Sequence, residues 1–180
     1  MNVKVVVTDG TQPVGRGIGP TLEAIDILKV LKNEEDAPKD LTERALLLAT
    51  ELLELSGKVE NGKGQETAHK ILKSGKAYEK FIAICKAQGQ FSKPVLAPYK
   101  IEIKAEKSGV LQRIDNRKIA KLAKLSGAPQ SKSAGILLNV HLGEQIEENQ
   151  LLYTIYAESK GELNYALEYK NNHNDIITII

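Results

Sequence analysis

The chain has 180 residues, 42% hydrophobic and 27% charged, which is enough apolar material for the core of one domain or two small ones. Its 25 Lys and Arg stand against 23 Asp and Glu, for a formal net charge of +2. Scattered lysines and 4% aromatics exclude a nucleic-acid surface, which needs a basic stripe and stacking rings.

The chain opens on a β-branched run, Val3, Val5, Val6 and Val7, whose residue types predict a strand. Met1 leads straight into it, without the basic region and apolar stretch of a secretory signal. No apolar run approaches the roughly 18 residues that cross a bilayer, so a cytoplasmic protein without membrane contact is expected. A glycine-rich turn follows, with Gly15, Gly17 and Gly19 spaced Gly-x-Gly-x-Gly. That spacing fits neither the dinucleotide fingerprint nor the Walker loop. Such a turn can present amides to an anion at a helix start, but the favoured reading is that its glycines permit tight geometry and close packing. Glu23 and Asp26, three residues apart on one helical face, are placed to look back at the turn as hard-cation ligands or to serve the helix dipole.

Leu22, Ile25, Ile27, Leu28, Val30 and Leu31 have helical spacing, with Pro20 suited to the first turn. Residues 36–40 break this helix, and Asp40 is the expected N-cap of the next. That helix carries Leu41, Leu48, Leu52 and Leu55 among other apolar residues and stops at Ser56-Gly57. Apolar on much of its circumference, it is expected to be largely buried. Two shorter helices are predicted over residues 65–72 and 77–86. Cys85, the single cysteine, falls on an apolar face of the latter and reads as a buried small hydrophobe. No disulfide can close within the chain, as suits a reducing compartment.

Helical spacing stops near residues 88–98, where Gly89, Ser92, Pro94 and Pro98 suggest a linker and a domain boundary near residue 93. Beyond it Ile101, Ile103 and Ala105 alternate with charged residues as in a strand. A second strand is expected over 110–114, a basic amphipathic helix over 116–125, and further strands over 135–140 and 151–157. A last helix is expected over 161–169. His69, His141 and His173 stand far apart, none beside a Cys, Asp or Glu at ligand spacing. Surface or packing roles are the expectation for all three, and no nucleophile sits in a recognisable elbow.

The segment Thr8-Asp9-Gly10-x-Gln12-Pro13-x-Gly15-x-Gly17-Ile18-Gly19-Pro20-x-Leu22-Glu23-Ala24 resembles the nucleoside phosphorylases of the thymidine/pyrimidine class, nearest the branch that includes AMP phosphorylase. Ile114-Asp115-Asn116-x-x-Ile119, Ala123-x-x-x-Gly127-Ala128-Pro129 and Tyr153-Thr154-Ile155-Tyr156-Ala157-Glu158 extend the likeness over nearly the whole chain. The resemblance implies an α+β / α/β fold: residues 1–92 as the mostly helical C-terminal part of the phosphorylase α/β domain, and 93–180 as a biotinyl/lipoyl-like sandwich (α/β hammerhead) domain. A carrier role is disfavoured, because no Met-Lys-Met-like tip joins the sandwich halves.

By the same resemblance the parent enzyme is a pentosyltransferase. It would cleave thymidine or AMP with inorganic phosphate to a free base and a pentose 1-phosphate, as a homo-oligomer. The family's Lys-His-Ser and Thr-Gly-Gly phosphate motifs and its base-holding Arg, Ser and Lys have no match here. The chain alone is therefore expected to be inactive, and no catalytic or phosphate-binding residue is carried over. An opening strand without a pairing partner nearby likewise suggests a truncated sheet. One site is carried over in part: a monovalent cation, potassium, held by carbonyls at Val14 and Gly17 and by Asp26, where the family's usual acid is Glu. A standalone, non-catalytic binding or oligomerisation module is the alternative reading.

Overall fold

In the computed structural model, which describes residues 2–180, the glycine-rich turn itself contains the first strand, β1 (Gly17–Ile18), and Pro20 opens α1 (Pro20–Lys32). Three helices follow: α2 (Lys39–Leu55), α3 (Gly64–Lys73) and α4 (Lys76–Ala87). Then come β2 (Tyr99–Lys104), β3 (Gly109–Ile114), α5 (Asn116–Leu125), β4 (Gly135–Leu138), β5 (Gln145–Ile146), β6 (Leu151–Ala157), α6 (Lys160–Asn171) and β7 (Ile177–Ile179). All strand pairs are antiparallel, and the class is α+β. Two compact units emerge: residues up to Thr8 with Asp26–Lys93, and Asp9–Ile25 with Pro94–Ile180. Among the described residues no helix is long and apolar enough to cross a membrane.

In the first unit α2 packs on α3 and α3 on α4. Ala68 and Leu72, one helical turn apart, are the buried face of α3 with Gly64. A Cβ on Gly64 would lie 2.7 Å from the Thr50 carbonyl oxygen, so α3 meets α2 backbone to backbone at that point. Glu54 Oε1 accepts from the Gly62 and Gly64 amides at 3.0 Å each, closing the loop between the two helices. Asn33 Nδ2 donates to the Leu72 carbonyl at 2.9 Å.

The second unit holds a four-stranded sheet in the order β1-β4-β6-β2 and a three-stranded sheet in the order β5-β3-β7. Both contribute to one core, in which Leu111, Leu122, Ile136, Ile146 and Ile155 are fully buried. Helix α5 presents Ile119, Leu122 and Ala123 to it, the i, i+3, i+4 face that its spacing implies. Asp115 caps this helix, its side chain accepting from the Arg117 and Lys118 amides at 3.1 Å. Helix α6 opens with a capping box between Ser159 and Glu162, and Glu162 Oε1 also accepts from Ser131 Oγ at 2.9 Å.

Several expectations need correction. Residues 3–7 form no strand, and Val3, Val5 and Val7 are 68%, 80% and 92% exposed. A strand exists only where a ladder partner pairs with it, and among the described residues none does. Helix α2 has no buried residue, because its apolar side lines an open groove with Leu31 and Ile71 in place of a covering layer. Asp40 is not the N-cap: the cap position is two residues earlier, at Pro38, whose carbonyl accepts from Thr42 N at 3.0 Å. Pro38 has φ near −59°, already set for a helix start. Cys85 is half-buried, since α4 also buries no residue completely. Strands β1, β5 and β7 lie where the sequence predicts no strand, and the strand expected over 135–140 ends at Leu138.

Leu122 is 0% exposed, and Leu122→Ala should lower unfolding free energy by about 2–5 kcal/mol in urea melts. The Asp115 carboxyl is held below its ordinary value of 3.8, chiefly by the Lys118 amide; burial opposes this, and Arg113, the Arg117 amide and the Lys118 charge add to the lowering. A depressed carboxylate stabilises the fold above that ordinary value and loses its contribution as pH falls through the lower folded value. The Tm should therefore fall on acidification through this window, and Asp115→Asn should flatten that part of the profile; parallel profiles would contradict the cap's role.

Candidate functional site

The segment from Asp9 to Ala24 is tied to the second unit at each step. Asp9 accepts from Thr11 N and Thr11 Oγ1, both at 2.9 Å, an Asx-type turn. Asn116 Nδ2 donates to the Gly10 carbonyl at 2.9 Å, and Leu142 N donates to Gln12 Oε1 at 2.9 Å. Leu138 N donates to the Arg16 carbonyl at 2.8 Å, and Gly17 and Ile18 pair with Leu137 and Ile136. A Cβ on Gly17 would lie 2.4 Å from the Leu22 carbonyl carbon, and one on Gly19 would lie 2.5 Å from the Ala134 oxygen. One on Gly135, across the ladder, would lie 2.2 Å from the Ile18 oxygen. No carbon tolerates such distances, so these glycines let β1 lie between β4 and the first turn of α1.

The start of α1 is already supplied with acceptors. Gly19 N donates to Glu23 Oε1 at 3.0 Å, Glu23 N donates to the Gly19 carbonyl at 2.9 Å, and Thr21 N donates to the Lys132 carbonyl at 3.1 Å. Pro20 has no N–H to offer. A carboxylate thus stands where an anion would meet the positive end of the helix dipole.

Val14 is half-buried in the bend before β1 and Gly17 is buried within β1, both in the second unit. Asp26 is 4% exposed in α1 and falls in the first unit. Two carbonyls and a carboxylate are the donor chemistry of a hard cation. Glu23 is exposed and turned to the Gly19 amide, so the two acids of α1 occupy unlike environments. Among the described residues no group of three His, Cys, Asp or Glu side chains is placed to hold a metal ion. His69 and His141 are half-buried. His173 stacks on Tyr169 with ring centroids 4.0 Å apart, and its Nδ1 donates to the Tyr169 carbonyl at 2.8 Å. The join between β3 and β4 is α5 and the loop after it.

Gln12 and Asn116 are the positioning residues that spacing did not reveal. Their partners lie 130 and 106 residues away along the chain. The available signal was their presence inside the quoted family motifs, since no local periodicity requires either amide. Elsewhere in the unit, Glu158 accepts from Ser133 N at 3.1 Å and Ser133 Oγ at 2.8 Å, and these bonds hold its carboxyl below the ordinary range.

Residues 110–176 match the family model described as the pyrimidine nucleoside phosphorylase C-terminal domain. The chain is 52% identical over 177 residues to a protein named putative thymidine phosphorylase from Legionella pneumophila (strain Corby), with 98% of this chain and 34% of the relative covered. It is 50% identical over 179 residues to proteins of the same name from Hahella chejuensis, covering 99% of this chain and 35% of the relative, and from Maricaulis maris, covering 99% and 34%. The chain spans about a third of the length of these curated relatives.

Replacing Gly17 by Ala puts a methyl against the α1 backbone and should destabilise the chain by about 1–3 kcal/mol, the usual cost of overpacking. Thermal unfolding checks this; an unchanged midpoint would show that β1 and α1 separate freely.

Proposed function

We propose, from the chain's membership of the thymidine/pyrimidine-nucleoside phosphorylase family, that it is the scaffolding C-terminal part of a phosphorolytic pentosyltransferase. The whole enzyme would transfer the pentose of thymidine or AMP from its base to inorganic phosphate, releasing free base and a pentose 1-phosphate. The observation that carries this reading is identity of about half over 98–99% of the chain to proteins named as putative thymidine phosphorylases. The geometry of the glycine-rich segment supports a structural share in that work. Its amides, glycines and side chains are engaged in holding β1 and the start of α1 in place.

In this reading residues 1–92 are the C-terminal part of the phosphorylase α/β domain, and residues 93–180 are its biotinyl/lipoyl-like sandwich. The assembly is a cytoplasmic homo-oligomer. The potassium ligands Val14, Gly17 and Asp26 belong to this proposal by resemblance alone, the buried Asp26 carboxylate being the donor suited to a cation. Catalytic groups lie outside the chain, which by itself turns over nothing.

Release of thymine from thymidine, or of adenine from AMP, in the presence of phosphate tests the assignment. This chain should show no turnover. A chimera that places it after the remaining two thirds of the Legionella pneumophila relative should show phosphate-dependent release of one base. Turnover by the chain alone would move catalysis into it, and a folded chimera inactive on both substrates would overturn the reading.

A further inference from the structure

The second unit contains a cavity of about 560 Å³ between the end of β2, the start of β6, the C-terminal end of α6 and β7. Its inner wall is apolar, with Leu152 and Ile176 buried and Ile103 half-buried. Lys104 and Lys107 stand at its exposed rim, and Lys170 lines it with a side chain only 22% exposed. Two carboxylates face these cations, and neither neutralises them well. Asp175 is held by Lys118, which lies outside the lining. Glu106 reaches Lys170 only at 3.6 Å and is 87% exposed, so it is free to swing away.

A second observation comes from the wall itself. Tyr153 lines the cavity and is 2% exposed. Its hydroxyl forms no hydrogen bond among the described residues. A phenol oxygen buried among aliphatic side chains without a partner carries a desolvation cost that a ligand's polar atom would relieve. Cavities that take small molecules have this make-up: mostly apolar walls, a few placed polar groups and charge on one side.

We propose that this cavity binds an organic anion with an apolar or aromatic body, a phosphate monoester being the best match to its three lysines. The anion sits among Lys104, Lys107 and Lys170, the body lies on Ile103, Leu152 and Ile176, and a polar atom at the far end accepts the Tyr153 hydroxyl proton. This site is independent of the phosphorylase reading and stands or falls without it.

The test uses 15N-labelled chain titrated with 4-nitrophenyl phosphate, phenyl phosphate and inorganic phosphate, following amide shifts. The expected result is saturable shifts for both esters around residues 103–107, 152–153 and 173–179, with inorganic phosphate at least about tenfold weaker. Lys170→Gln should weaken both esters by about tenfold. Tyr153→Phe should weaken 4-nitrophenyl phosphate by about threefold and leave phenyl phosphate unchanged, a split that damage to the fold would not produce. The proposal is overturned by an absence of saturation up to about 10 mM, by shifts confined to α2 and α3, or by equal affinity for inorganic phosphate and the esters.

Discussion

The arrangement of the second unit hangs on a backbone contact that admits no side chain. Between β4 and the first turn of α1 there is room for β1 only as glycine at Gly17, with Gly135 of β4 against the Ile18 carbonyl and Gly19 at the exit. Gly19 also holds φ at +131°, a value that L side chains avoid. With the strand seated this closely, Leu22 falls to 2% exposure, and the start of α1 is set by a main-chain bond from Thr21 to Lys132 and by the Glu23 carboxylate. The segment's glycines serve packing before they serve any ligand.

Beneath that contact the sheets meet in one core, and the chain's amphipathic elements follow from it. Strand β6, inside the four-stranded sheet, is flanked by β4 and β2 and buries Tyr153, Thr154, Ile155 and Ala157. A strand covered on both faces reads as a continuous apolar run, and Leu151 to Ala157 is written that way. Thr154 and, with its phenol, Tyr153 are the exceptions within it. Desolvation raises the Tyr153 hydroxyl pKa well above the ordinary value of 10.0, so the group stays neutral and available as a donor. Helix α5 closes another side of this core, and its Asp115 cap fixes where the helix begins.

The first unit shows the opposite balance. Helix α2 is rich in leucine, yet Leu48 and Leu52 are 45% and 65% exposed, because hydrophobicity around a helix says how much could be buried and not what is present to bury it. The same holds for Val3, Val5 and Val7.

Much of the chain was legible from spacing. The limits of α5 and β6 follow from a cap residue and from a run of apolar, aromatic and β-branched residues, both local signals, and the helices α1, α3 and α4 follow from period and punctuation. The motif wording carried the family. Tertiary structure alone decided the rest. Strand β1 is two residues of glycine and isoleucine with little intrinsic preference for a strand, made into one by pairing with β4. Strand β7 carries a β-branched run that an asparagine-rich approach concealed. Gln12 and Asn116 acquire their roles from partners more than a hundred residues away. Local sequence determines the direction in which a side chain or amide is offered; only the folded chain determines what meets it, because hydrogen bonds and burial act across space and carry no trace in neighbouring residues.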